Sequence, residues 1–353
     1  MTTTETTTET MRTVVATERD GPPLSEVLAR PGTRTVLLAG SKDPNAKLTL
    51  VLLDGYGAAF VVKVPTNGES ALVVRQEGEL LDAVRQLPIG RLATTVPQPL
   101  GYLDAEDLPA LVTNALAGTP MTVRYHGWRH TARRRRVRAD FAAAGAWLAE
   151  LQTRTAGRLT PVVLLDDALD RIGSRFADHP DLPKLRKRLA GPADRLSHCA
   201  TARTVVHGDY WFGNLLVARE RRASRVVGVV DWEAGALSGE PLRDVARFAV
   251  GYALYLDRHA RPGHRVPGHR GLRAEFWGAG LVHAAHGNGW FGAVVREYLV
   301  AAAERLGLSR FLWSDIMLAG IADVAATADH PDFARDHFEL LVRLTGPDGG
   351  VVR

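Results

Sequence analysis

The sequence predicts an α+β fold in two lobes: a small β-sheet lobe carrying one helix, then a larger, mainly helical lobe. Three observations predict it. Short apolar strands at 34–40, 48–53 and 58–64 are followed by an amphipathic helix at about 70–87. Beyond residue 120 the apolar residues recur with a helical period over 133–153, 180–197, 241–256, 290–306 and 332–344. One β-hairpin, 215–218 with 225–231, interrupts that helical run.

Taken in order, the first strands are parted by turn residues, Gly40-Ser41-Lys42-Asp43-Pro44-Asn45 and Asp54-Gly55-Tyr56-Gly57. A further strand pair fits 99–104 and 109–114. Gly118 and Pro120 then mark a hinge, so residues 21–115 are expected to form the first lobe and 116–353 the second. The Thr- and Glu-rich start, residues 1–20, reads as a disordered tail without the basic and apolar parts of a signal peptide.

Composition narrows the function classes. The chain has 353 residues, 46% hydrophobic and 24% charged, enough for one large or two medium cores. No apolar run approaches the ~20 residues of a membrane span, so no membrane partner is expected. Cys199 is the only cysteine; no internal disulfide can form, which fits a reducing cytoplasm. The net charge of +5 could suggest nucleic acid, but the one dense patch is Arg133-Arg134-Arg135-Arg136. That run opens a helix whose apolar positions follow at Phe141, Ala144, Leu148 and Leu151, so it reads as a solvated helix face and no nucleic-acid partner is expected. Residues 257–272 carry Pro-Gly-His-Arg twice and read as a mobile loop.

Lys63 is one of only five lysines in an arginine-rich chain, and it stands in an apolar strand. Two-residue alternation puts Phe60, Val62 and Val64 on one face and Lys63 on the other. On the next helix Val73, Val74, Leu80, Leu81 and Val84 form one stripe, and Glu77 lies inside it. A carboxylate on a buried face costs several kcal/mol unless a cation pairs with it. Lys63 is the natural partner, unless Glu77 turns outward at Gly78. A strand lysine held by a helix glutamate suits the α- and β-phosphates of a nucleotide.

Residues 207–214 read His-Gly-Asp-Tyr-Trp-Phe-Gly-Asn, after the apolar run Thr204-Val205-Val206. Asp209 can accept a proton from an attacking hydroxyl. Asn214 precedes one hairpin strand and Asp231 ends the other, so both are expected at one end, offering hard oxygens to magnesium. Each alone would be an ordinary turn or strand-end residue; the spacing of all three is what points to phosphoryl transfer. His207 reads as a core-facing imidazole bonded to backbone. Asp244, in the first turn after Pro241, suits a helix N-terminus and could accept N–H groups from the 207–209 loop.

The stretch 204–248 resembles the aminoglycoside phosphotransferase and choline kinase superfamily, small-molecule kinases with a protein-kinase-like fold. The shared pattern is His-Gly-Asp, four residues, Asn, an apolar strand ending Asp-Trp-Glu, then Gly-x-Pro and an Asp-bearing helix. Lys63, Glu77 and the Leu111 to Gly118 hinge resemble the family's N-terminal lobe, and the likeness covers roughly 34–256. The resemblance implies ATP or GTP and Mg²⁺ as cofactors. Ser41 would cap phosphates in place of a full Gly-x-Gly-x-x-Gly loop. The backbone near Asn114 and Leu116 would meet the nucleotide base. Tyr210 and Trp211 replace the smaller or more polar residues common in the family, which places them, with Glu233, as candidate acceptor contacts.

The function so implied is transfer of a γ-phosphoryl group to a hydroxyl of an antibiotic or related natural product. The alternatives are a metabolic choline, sugar or amino-alcohol kinase and, in another class, an inactive kinase-like scaffold. From Asp231 to the Asp244 helix only about a dozen residues intervene, too few for a protein kinase's activation loop. The region after 257 mixes Glu275, Glu297, Asp315, Asp323 and Asp329 with Arg261, Arg265, Arg270, Arg273 and Arg296, so it is not distinctly acidic. Trp277, Trp290, Phe291, Phe311 and Trp313 supply aromatic surface instead, either as core or as a pocket for a ring-bearing or quaternary-amine acceptor.

Overall fold

Runs such as Leu48-Thr49-Leu50-Val51-Leu52 and Phe60-Val61-Val62 favour pleated backbone, and the structure, a computed structural model, pairs them. It describes residues 23–29, 34–38, 46–54, 57–220, 223–286 and 289–346. The expected tail at 1–20 and Ser41 with its loop lie outside these. The described residues form two units: those up to Gly118 with Val227–Gly235, and Thr119–Val226 with those from Ala236 on.

The first unit opens with a short helix, α1 (Leu24–Leu28). Strands β1 (Arg34–Leu38), β2 (Lys47–Asp54), β3 (Gly57–Pro65), β4 (Pro99–Ala105) and β5 (Leu108–Asn114) form an antiparallel sheet of order β1-β2-β3-β5-β4. Alternation gathers Leu50, Leu52, Phe60, Val62, Leu103, Ala110 and Val112 into one core, against which Leu24 packs. On the other face Lys63 stands opposite Leu111. Helix α2 (Gly68–Gln86) starts with a capping box: Asn67 Oδ1 accepts the Ser70 N–H at 2.8 Å, and Ser70 Oγ accepts the Asn67 N–H at 3.0 Å. Its buried stripe holds Val74, Glu77, Gly78, Leu81 and Val84. Glu77 does not turn outward at Gly78. A Cβ at Gly78 would overlap the Tyr102 hydroxyl and come within 3.2 Å of Leu111, so this glycine serves close approach of helix to sheet.

In the second unit the main helices are α3 (Met121–Tyr125), α4 (Arg134–Arg154), α5 (Leu164–Arg175), α6 (Leu182–Ser197), α7 (Leu242–Leu254), α8 (Ala279–His286), α9 (Trp290–Arg305), α10 (Trp313–Thr327) and α11 (Pro331–Leu344). The arginine run enters α4 fully exposed at Arg133–Arg136, while Val137, Phe141 and Ala144 turn inward. Helical periodicity leaves α3, α5, α8 and α10 unannounced. For α10 the reason is plain: every residue from Asp315 to Ala325 is buried, so no polar face sets a period. Short strands join the helices: β6 (Thr119–Pro120), β7 (Leu159–Pro161), β8 (Ala200–Ala202), β9 (Thr204–Val206), β10 (Leu215–Glu220), β11 (Ala223–Val229) and β12 (Ala236–Gly239). Of these, β9 pairs with β12 and β10 with β6.

The 257–272 segment is not the loose loop its Gly/Pro content predicts. Val266, His269 and Leu272 are buried, and backbone bonds join Val266 to Leu272 and Gly263 to Ala274. The two Pro-Gly-His-Arg copies differ: His264 is exposed, whereas His269 is buried with Nε2 2.9 Å from the Thr131 carbonyl.

Glu240 makes stability depend on pH. Its Oε2 accepts the Val163 N–H at 3.1 Å, but its buried Oε1 has no hydrogen-bond partner among the described residues. Burial lifts this carboxyl from 4.5 to about 7, against the pull of the Val163 N–H and Arg203. A folded value above the unfolded one means stability is whole below pH 4.5 and is lost as pH rises through about 7. Glu240→Gln should therefore be the more stable protein at pH 8, on the order of 3 kcal/mol, and equal to wild type near pH 4, below the unfolded value of 4.5. Urea unfolding midpoints at the two pH values measure this.

Candidate active site

In the first unit the chemistry gathers at the end of β3. The Lys63 ammonium lies 2.7 Å from each Glu77 oxygen and 2.6 Å from Asp231 Oδ1. Glu77 is 2% exposed, and its Oε1 also accepts the Trp232 N–H at 3.0 Å. The Trp232 indole is wholly buried and donates to the Val229 carbonyl at 2.8 Å, which pins this corner. Asp231 itself adopts left-handed backbone, φ 69°, a costly conformation for a non-glycine that is typical of functional sites. Burial by itself would depress the Lys63 pKa; Glu77 and Asp231 outweigh it and hold the ammonium above its ordinary value. Oxygens of Glu77, Asp231 and Glu233 lie within 4.8 Å of one another, and Glu233 also pairs with Lys47.

Where β5 ends, the Asn114 N–H is taken by the Gln98 carbonyl at 3.1 Å and its Oδ1 accepts the Gln98 N–H at 2.6 Å. Ala115 donates to Ala59 at 3.0 Å. Leu116 keeps its N–H without a partner among the described residues.

In the second unit the 207–214 loop is organised from below by Asp244, on the first turn of α7. This wholly buried carboxylate accepts the His207 N–H at 2.7 Å and the Gly208 N–H at 2.8 Å. Burial raises its pKa, and the His207 imidazole and the two N–H groups work against the rise. His207 is also wholly buried, with Nδ1 3.2 Å from the Asp209 N–H. The loop then turns Asp209 toward a cleft. Arg247, one helical turn beyond Asp244, grips Asp209 Oδ1 with Nε at 2.7 Å and Nη2 at 2.6 Å. Asn214 donates Nδ2 to Asp209 Oδ2 at 3.0 Å and to its carbonyl at 2.9 Å. The Asn214 amide nitrogen is thereby engaged with Asp209, which leaves its Oδ1 as the oxygen that could serve a metal.

Tyr210 is not an acceptor contact. It is wholly buried, donates to the Ala144 carbonyl at 2.9 Å and stacks on Trp147 at 5.4 Å, so its ring is core. Trp211 is half-buried and lines the cleft with Asp209, Arg247, Tyr255, Phe333 and His337. The sequence reading missed Arg247 and His337. Arg247 carried a signal, since position i+3 from a buried Asp244 shares its helix face. His337 carried none. Among the downstream aromatics, Phe291 is core, while Trp277 and Phe311 are exposed.

A model of the phosphotransferase enzyme family matches residues 47–278. No curated protein sequence compared with the chain matches it. Among solved structures, the GDP complex of wild-type aminoglycoside 2'-phosphotransferase-IIIa is similar at TM-score 0.53 and 14% identity, covering 91% of this chain and 95% of that one. The GDP and kanamycin complex of APH(2")-IIia is similar at TM-score 0.51 and 14% identity, covering 90% and 95%. Macrolide 2'-phosphotransferase MphH from Brachybacterium faecium, as apoenzyme, is similar at TM-score 0.49 and 17% identity, covering 91% and 97%. At such identities the first two likenesses, with TM-scores above 0.5, establish the fold alone, the kinase-like α+β one.

Proposed function

The chain belongs to the phosphotransferase enzyme family and acts on a hydroxyl group; from that premise we propose that it moves the γ-phosphoryl of ATP or GTP to an antibiotic or related natural product. Asp209 is the base that orients the acceptor hydroxyl and takes its proton as the oxygen attacks phosphorus. Lys63 holds the α- and β-phosphates, and Glu77 holds Lys63. Leu116 offers its unpartnered N–H to the nucleotide base, a role for which Asn114 has no N–H to spare.

The observation that carries this reading is the Lys63–Glu77–Asp231 cluster. A lysine tied to two carboxylates in a poorly hydrated corner is a costly way to hold a sheet to a helix. It is economical where phosphate oxygens replace Asp231 at the ammonium once nucleotide binds. The donor set also fits magnesium: a 39% exposed Asp231 carboxylate and the Asn214 amide oxygen are hard ligands. Asn214 and Asp231 would hold the ion, which would offset the charge developing on the β- and γ-phosphate oxygens.

The test is labelled phosphoryl transfer. The protein with magnesium, γ-labelled ATP or GTP and a panel of aminoglycoside, macrolide and glycoside acceptors should yield a labelled, acid-stable product with at least one acceptor. Nucleotide that binds yet labels nothing across the panel would leave the chain a binding scaffold.

A further inference from the structure

We propose that the cleft beside Asp209 receives an uncharged, ring-bearing end of the acceptor, with the His337 imidazole accepting a hydrogen bond from it. This rests on the phosphotransferase reading and adds the substrate class. The cleft is small, about 140 Å³, below the ~300–1,000 Å³ that encloses a whole drug-sized ligand. One ring enters it and the rest of the acceptor stays outside.

Charge excludes a polycation. Among the described residues Asp209 is the only carboxylate on the wall, and Arg247 already grips its Oδ1 at 2.6–2.7 Å. An ammonium brought here would lose water, find no free counter-charge and meet a guanidinium. The same guanidinium opposes a quaternary amine among the aromatic rings, although Trp211 and Tyr255, with centroids 5.7 Å apart, could otherwise begin a cage. What these rings do favour is the apolar face of an uncharged ring.

His337 sets the polar requirement. It is 1% exposed, and Nδ1 lies 2.8 Å from the Phe333 carbonyl. A carbonyl only accepts, so Nδ1 carries the hydrogen and Nε2 presents a lone pair. No partner for Nε2 stands among the described residues. Phe333 at 4.4 Å and Trp277 at 4.9 Å pack on the imidazole and hold it in place. Burial keeps the ring neutral, pushed down to about 3 despite the Phe333 carbonyl and with help from Arg247. A ring that fills the cleft covers Nε2 and takes it from water, and an acceptor then left unmatched is costly, so the group that enters brings an O–H or N–H donor.

Calorimetry and turnover together test this. The full chain with magnesium and ATP is titrated with kanamycin and with a set of 4-nitrophenyl glycosides, then assayed for phosphorylated product. A neutral glycoside should bind at least tenfold tighter than kanamycin. His337→Phe should raise the KM for that glycoside about tenfold with kcat within twofold, and His337→Gln, which restores an acceptor oxygen, should recover most of the loss. Kanamycin binding as tightly as every glycoside, or a glycoside KM unmoved in His337→Phe, overturns the proposal. Tight glycoside binding without any phosphorylated product instead overturns the phosphotransferase chemistry and leaves the cleft assignment standing.

Discussion

Asp209→Asn should lower turnover by about 10²–10⁴-fold while nucleotide affinity stays within twofold. The substitution keeps the side chain's shape. Its carbonyl oxygen can still accept from Arg247, and its loop still hangs on Asp244 through the His207 and Gly208 N–H groups. What it loses is the proton acceptor. Folding should barely change, because Arg247 is partly solvated and does not become a buried orphan charge. Asp209→Ala should lose as much turnover. A near-wild-type rate in both, measured by coupled nucleotide assay with the best acceptor, would remove Asp209 as the base.

Lys63→Met should damage both stability and activity, and a second substitution should separate the two. Removing the ammonium leaves Glu77, 2% exposed, beside Asp231 with no cation between them. Breaking a buried pair from one side costs about 3–5 kcal/mol. The pair raises Lys63 above its ordinary 10.5, so its stabilisation is whole below that pH and fades only above it. The loss in Lys63→Met should therefore be equal at pH 6 and pH 9. Lys63→Met with Glu77→Gln should recover most of the stability, since the glutamine oxygen still accepts the Trp232 N–H and the carboxylate that remains, Asp231, is 39% exposed to water. Turnover should stay lost, by about 10²-fold or more, because nothing then binds the phosphates. Denaturant midpoints and nucleotide KM for the three proteins decide it. Recovery of turnover along with stability would make the cluster purely structural.

The cluster of the first unit and the 207–214 loop of the second differ in how far the sequence exposes them. Lys63 and Glu77 are legible because a period of two on β3 and of 3.6 on α2 each put a charge on an apolar face, and a buried charge needs a partner. Asn214 is legible from its five-residue distance to Asp209. Tyr210 misleads for the same local reason: it sits between functional neighbours, but its ring turns into the core against Trp147 and Ala144.

Local periodicity and short spacing by themselves determine the strands of the first unit, the β10–β11 hairpin, helix α2, most of the later helices and the five-residue interval from Asp209 to Asn214, because these depend chiefly on residues near in sequence. Tertiary packing alone decides the rest. It buries α10 on every side, which erases its period. It brings Phe333 and His337 of α11 to the wall beside Asp209, though more than a hundred residues separate them in the chain. No spacing rule reaches across that distance, since the contact exists only once helices fold against each other.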